Sequence, residues 1–314
     1  MTTVTNEASA QGRIVVGYDG SAGSVNALTY AARLANERGR RLLIMMALPH
    51  LNPKTPRTAR ALKLDPDYLT HIKARAQRKL DAAAEQLATQ YPNLVVELAV
   101  MSADPAGALA EASQDAALVV VGVRGHSSEL LSPMLGGVSG TVIAHSTGPV
   151  MVVPDGIHDM TNGPVVVGLV DAADSLKAGQ VAVAEAERRH VPLVALYAWD
   201  IAPEIGDFGT LVHIDRDQEQ QEEDTLLSDL VAPLIAEHPD LVVERRVVQG
   251  SPRAALVEAS QQASLVVIGS RGLGGFAGLL LGSVSRAVTR ESDCPVIVVR
   301  QSPSSQPDVA PGTI

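Results

Sequence analysis

The chain has 314 residues, 46% of them hydrophobic and only 3% aromatic, with a formal net charge of −10. That length accommodates two domains of ordinary size, with cores built from Val, Leu, Ala and Ile. The acidic balance argues against electrostatic binding to nucleic acid or an anionic membrane surface, where phosphate contacts need clustered Lys and Arg, but it allows a small anion held by backbone amides.

In chain order, the first dozen residues are polar and lack the apolar stretch of a signal peptide. No apolar run approaches the length of a membrane span, so a soluble, cytoplasmic protein is expected. Strands are then predicted near 13–18, 41–47, 94–100, 117–122 and 149–153, with helices near 23–38, 66–90, 104–115 and 137–146. A linker rich in turn formers follows, Pro154–Gly163. Beyond it, strands are predicted near 164–170, 191–198, 241–248, 264–269 and 295–299, and helices near 173–189, 213–238, 251–262 and 283–292. The charge run Asp215–Asp224 reads as the solvated face of a helix. The tail from Ser302 to Ile314 is rich in Pro and Ser and is expected to be disordered.

The two halves repeat one another. Glu97–Gly125 and Glu244–Gly272 align without gaps at an offset of 147 residues, with 16 of 29 positions identical. An offset that long makes the repeated unit a whole domain rather than a solenoid repeat. The starts agree, Arg13–Gly17 with Pro164–Gly168, and so do the ends, Gly148–Val153 with Cys294–Val299. Domains are therefore expected over 1–156 and 157–314. Strict alternation of helix with continuous Val/Ile strands predicts an α/β fold: two tandem open parallel-sheet domains, Rossmann-like, with helices on both faces. Such sheets bind ligands at the carboxyl ends of strands, where strand order reverses. The fifth strands, Pro149–Val153 and Pro295–Val299, are short and apolar.

Glycines accumulate after the fourth strand of each half. In the second half Gly269 and Gly272 flank the strand exit, and Gly282-Ser283-Val284-Ser285 opens a helix. Glycine lets the backbone approach an oxyanion, the first amides of a helix are unpaired donors at the positive end of its dipole, and Ser283 and Ser285 add hydroxyl donors or a helix cap. Together these residues read as an anion site. A tight loop with a capped helix accounts for the same residues without a ligand. Gly272-x-Gly274-x-x-Ala277 also matches a relaxed dinucleotide fingerprint, but it follows the fourth strand rather than the first.

The spacing Gly269-x2-Gly272-x9-Gly282-Ser283 resembles the loop of ATP-binding universal stress proteins, as do Val15–Ser21 and Cys294–Val299. The resemblance covers nearly the whole chain, twice. It implies five parallel strands per half and ATP, with or without Mg²⁺, at the switch point, in a stress-response regulator. It also implies that the short apolar fifth strands lie at the sheet edge; bare edges invite pairing, so the halves are expected to join there as an intrachain pseudo-twofold pair, with homodimerisation of the whole chain left open. Carried over by position, the contacts are Gly269, Arg271, Gly272, Gly282, Ser283, Val284 and Ser285, with an Asp at the end of strand one. Each half departs from the pattern. The first half has Asp19 and Gly122, but its loop runs Gly125-x10-Gly136-Gly137, one residue longer, with glycine in place of the Ser/Thr; Ser139 remains, and Glu129 and Pro133 sit inside the loop. The second half has the full loop, but Val170 stands where Asp19 does and Asp171 comes one residue later. The cleaner loop makes the second half the better expected site.

Other residues carry less. Cys294 reads as a buried small hydrophobe. His126 lies in the first glycine loop, and the remaining histidines show no ligand spacing. Tyr197 and Trp199 either fill the core or lie near an adenine. No paired carboxylates and no nucleophile–base set support a named catalytic step, so ATP binding does not imply hydrolysis. A nucleotide-free scaffold with vestigial sites and a slow ATPase or phosphotransfer enzyme remain alternatives, and the protein partner is not named by the sequence.

Overall fold

A computed structural model describes residues 3–4, 10–48, 68–123, 137–156, 162–170, 172–199, 216–270 and 281–300. The first half runs β1 (Thr3–Val4), β2 (Ile14–Gly17), α1 (Ala22–Glu37), β3 (Leu42–Leu48), α2 (Tyr68–Gln90), β4 (Val96–Ser102), α3 (Pro105–Ala112), β5 (Leu118–Gly122), α4 (Gly137–His145) and β6 (Val150–Val153). The second half runs β7 (Val165–Leu169), α5 (Ala172–Arg189), β8 (Leu193–Trp199), α6 (Arg216–Ile235), β9 (Val243–Gln249), α7 (Pro252–Ser260), β10 (Leu265–Gly269), α8 (Ser283–Glu291) and β11 (Val296–Val299). The expected disordered tail lies outside the described residues.

All strands form one sheet in the order β1-β4-β3-β2-β5-β6-β11-β10-β7-β8-β9. Every neighbouring pair is parallel except β6 with β11, which run antiparallel with Ile297 opposite Met151. β2–β6 and β7–β11 are thus two runs of five strands in the same relative order, and they meet edge to edge at β6 and β11. The two-residue strand β1, which pairs with β4 at Thr3↔Glu97 and Val4↔Leu98, had no signature in the sequence because two residues carry no periodicity.

The sheet is covered on both faces, as continuous Val/Ile strands require. One core layer holds residues of α1, α2, α5 and α6 and runs without interruption across both halves; the other holds residues of α3, α4, α7 and α8. Alternate strand residues face opposite layers, Ile14 and Val16 toward the first and Val15 toward the second. The exception is the outer strand β9, where Glu244, Arg245 and Arg246 are largely solvent-facing, the charged dress that protects a sheet edge. In each half the chain leaves its first strand outward and returns on the far side, so strand order reverses between β2 and β5 and between β7 and β10.

Candidate functional site

The carboxyl end of β2 turns directly into α1, and serine hydroxyls organise the turn. The Ser21 hydroxyl caps α1 by accepting from the Ser24 amide at 3.2 Å. The Ser24 hydroxyl accepts from the amides of Asp19 at 3.3 Å and Gly20 at 3.0 Å, and donates to the Ser21 carbonyl at 3.0 Å. Asp19 Oδ1 accepts from the Ser21 amide at 2.9 Å. Gly20 has φ +84°, a left-handed conformation that favours glycine. From α2, the Lys79 ammonium donates to the Asp19 carbonyl at 3.2 Å.

On the other side of the switch point, β5 ends at Gly122 and α4 begins at Gly137. The Ser139 hydroxyl donates to the Gly122 carbonyl at 2.6 Å, tying the first turn of α4 to the strand. Between these ends lies a cavity of about 280 Å³, near the lower end of the range for ligand pockets, roughly 300–1,000 Å³. Met45, Met46, Met101 and Leu109 make much of its apolar wall, while Tyr18, Asp19, Ser24 and Ser139 bring polar atoms to it. Burial, and then the neighbouring Asp19 carboxylate, raise the Tyr18 phenol above its ordinary value.

The second half repeats this frame. The Ser175 hydroxyl accepts from the Val170 amide at 2.8 Å, as Ser24 does from Asp19. The Ser285 hydroxyl donates to the Gly269 carbonyl at 2.8 Å, as Ser139 does to Gly122. The Gly282 amide donates to the Ser270 carbonyl at 2.8 Å. Gly282 is the N-cap of α8 and has no side-chain cap, so the first turn of that helix presents its amides without a capping hydroxyl. Ser283 is therefore the first helical residue and exposed, not the cap.

These positions bring together Asp19, Gly122, Gly137 and Ser139 in the first half, and Gly269, Gly282, Ser283, Val284 and Ser285 in the second. Arg271, Gly272, Asp171, Gly125 and Gly136 lie outside the described residues, as does His126. Ser139 and Ser285 are only 4% exposed and spend their protons on strand carbonyls. Their hydroxyls thus fix the helix start, and the amides above them are left as donors. Gly122 has a packing reason as well, since a Cβ there would fall 2.5 Å from the Gly23 carbonyl oxygen. Tyr197 and Trp199 belong to the core layer beside α5 and α6; burial, and then a hydrogen-bonded Glu223, raise the Tyr197 phenol. Cys294 is 2% exposed, and burial pushes its thiol up to about 12. The sequence reading did not single out Tyr18, Ser24 or the three methionines as lining a site. Their positions at the ends of β2, β3 and β4 were the available signal.

The first-half cavity offers an apolar slot lined also by the Asp19 carboxylate and by the start of α4. That set suits a flat, partly apolar ligand with hydroxyls and an anionic end. A model of the universal stress protein family matches residues 11–154 and again 161–300. A universal stress protein of Mycobacterium tuberculosis strain H37Rv is 34% identical over 307 residues, covering 91% of this chain and 94% of that one. Another from Mycolicibacterium smegmatis is 36% identical over 295 residues, covering 91% and 96%. Among solved structures, a universal stress protein from Archaeoglobus fulgidus superposes with a TM-score of 0.65 at 17% identity, over 92% of this chain and 98% of that one.

Proposed function

Because the chain belongs to the universal stress protein family, we propose that it is a stress-response regulator that binds an adenine nucleotide, ATP foremost, at its switch points. The observation that carries this reading is the cavity between β2 and β5, lined by Asp19 and by the start of α4. The methionine-lined slot takes the base. Asp19 accepts hydrogen bonds from the sugar hydroxyls or the adenine amine. Phosphates lie over helix-start amides, which supply donors and a positive dipole end without any cluster of Lys and Arg. In the second half, the spacing Gly269 to Ser285 makes the loop the stronger phosphate cradle, while Val170 stands where the first half has Asp19, with Asp171 one residue later. The halves thus divide the parts of the site: the first favours the nucleoside, the second the phosphates. Occupancy biases the loops above the sheet and through them a partner contact. Binding, not hydrolysis, is the proposed activity.

The test is direct. Mass spectrometry of the small molecules released on denaturing the purified protein should find adenine nucleotide, and calorimetry should show ATP binding. Gly282→Val should weaken ATP binding more than tenfold, because a side chain blocks approach to the amides, by about 1.4 kcal/mol per decade. Gly282 has φ −68° and ψ 157°, which valine adopts freely, so the substitution imposes no backbone strain of its own. No released nucleotide and no heat with ATP would sink the reading.

A further inference from the structure

Lys79 belongs to no loop or motif of the site, yet it reaches it. Its stem is fixed on α2, whose Ala76, Leu80, Ala83 and Leu87 are all buried in the core. Its ammonium donates to the Asp19 carbonyl at 3.2 Å, and lies 3.0 Å from where a Cβ on Gly20 would stand. The cation is thus packed against the turn that presents Asp19 to the cavity. The second half tells what this contact is for. Leu80 and Leu227 are both 0% exposed at matching places on α2 and α6, and that register sets Leu226 opposite Lys79. Leu226 is 40% exposed, and Val170 stands where Asp19 does. The serine frame of the turn survives, with Ser175 in the role of Ser24. That hydrogen bond forms without the lysine, and the half that lacks a carboxylate at the Asp19 position also lacks the cation at the Lys79 position; Asp171, one residue on, lies outside the described residues.

We propose that Lys79 is a positioning residue for Asp19: it pins the β2–α1 turn so that the carboxylate meets the nucleoside, and it makes the first half selective for the nucleoside end of the ligand. This rests on the reading that the first half takes an adenine nucleotide. The experiment uses the full chain carrying Gly282→Val, so that the first half dominates, with adenosine and ATP as calorimetric probes. Lys79→Leu, the second half's own residue, should weaken adenosine and ATP by the same factor, about tenfold, the scale of one charge-assisted hydrogen bond. Lys79→Arg should restore most of the affinity, and adding Asp19→Asn to Lys79→Leu should cost little more, since both remove one arrangement. The proposal is overturned if Lys79→Leu binds adenosine like its parent, if only ATP is weakened, which would mean a direct phosphate contact, if arginine fails to rescue, or if the two losses multiply. Failure of the underlying reading shows earlier and differently: the parent chain itself would give no heat with adenosine, and the role of Lys79 would fall with it.

Discussion

His190 has a left-handed backbone, φ 55°, at the place where the first half has Gly39, φ 58°. Both end a helix in the same way. The Gly39 and Arg40 amides donate to Asn36 and Ala35, and the His190 and Val191 amides donate to Glu187 and Ala186. Glycine takes this conformation without a Cβ penalty, whereas histidine does not. His190→Gly should therefore stabilise the protein by about 0.5–1 kcal/mol, read as a higher midpoint in urea; an unchanged or lower midpoint would show that the strain is not there. Cys294 makes a second residue-scale case. Its thiol is held neutral by burial, with the value raised from 9.0 to about 12. The folded chain keeps a proton that the unfolded chain releases, so this stabilisation is complete below pH 9.0 and is lost as the pH rises towards about 12. Cys294→Ala should remove that part of the alkaline sensitivity, so the stability gap between the two proteins should narrow over this window. A gap that stays constant would contradict the assignment. The glycines separate in the same way: among the described residues nothing lies within 4 Å of a Cβ built on Gly137, whereas one on Gly122 meets the Gly23 carbonyl. Gly122→Ala should therefore lower stability by about 1–3 kcal/mol, the usual cost of forcing extra volume into a packed site, and Gly137→Ala should leave the melting temperature in place. Spacing alone could not make this distinction, because it marks a glycine without saying whether a ligand or a helix needs the space.

Among the elements, the Val/Ile runs placed the strands closely; Leu118–Gly122 and Val165–Leu169 fall within the ranges read from sequence. Periodicity could assign these because buried parallel strands are apolar throughout. The cavity was not legible, because its walls come from the ends of β2, β3, β4 and β5, which only the strand order brings together. Lys79 was invisible for the same reason, being 60 residues from its partner. An ion cluster between α1 and α5 was equally hidden. Glu185, with a side chain 6% exposed, receives Arg38 at 2.7 Å across the halves, and Arg188 at 2.6 Å and Arg189 at 3.5 Å from its own helix. Arg189 also donates to the Tyr30 hydroxyl of α1 at 3.3 Å. At the matching place on α1 stands Leu34, so the cluster breaks the pseudo-twofold symmetry. Burial already lowers the Arg38 value below its ordinary one, against the pull of Glu185. Glu185→Leu would leave that guanidinium buried without its counter-charge and should cost about 3–5 kcal/mol. Adding Arg38→Met should recover part of the loss, since the pair shares one interaction. A single variant within about 1 kcal/mol of wild type would mean that the cluster contributes no more than an exposed ion pair.

At the scale of the whole molecule, the two halves are joined by sheet as well as by the helix contacts. β6 and β11 pair antiparallel, with Val150, Met151 and Val152 opposite Val298, Ile297 and Val296. Met151 and Ile297 are 0% and 1% exposed at the centre of this join and belong to the core layer that spans both halves. Arg300, just beyond β11, donates to the Ala144 carbonyl of the first half at 2.7 Å. Neither half alone could cover its inner edge, and an uncovered apolar edge is a site for aggregation. The halves should therefore unfold as one cooperative unit. The chain has one tryptophan, Trp199, in the second half, so its fluorescence reports that half while far-ultraviolet circular dichroism reports both. In wild-type protein the two signals should change together in urea, as a two-state transition requires. Met151→Lys places a charge at the buried join, where it has neither water nor a partner. The two signals should then separate, each transition carrying a smaller denaturant dependence because each exposes less surface. Coincident curves of undiminished slope in the Met151→Lys protein would show that the helix contacts, Glu185 and its arginines among them, couple the halves without the strand pair.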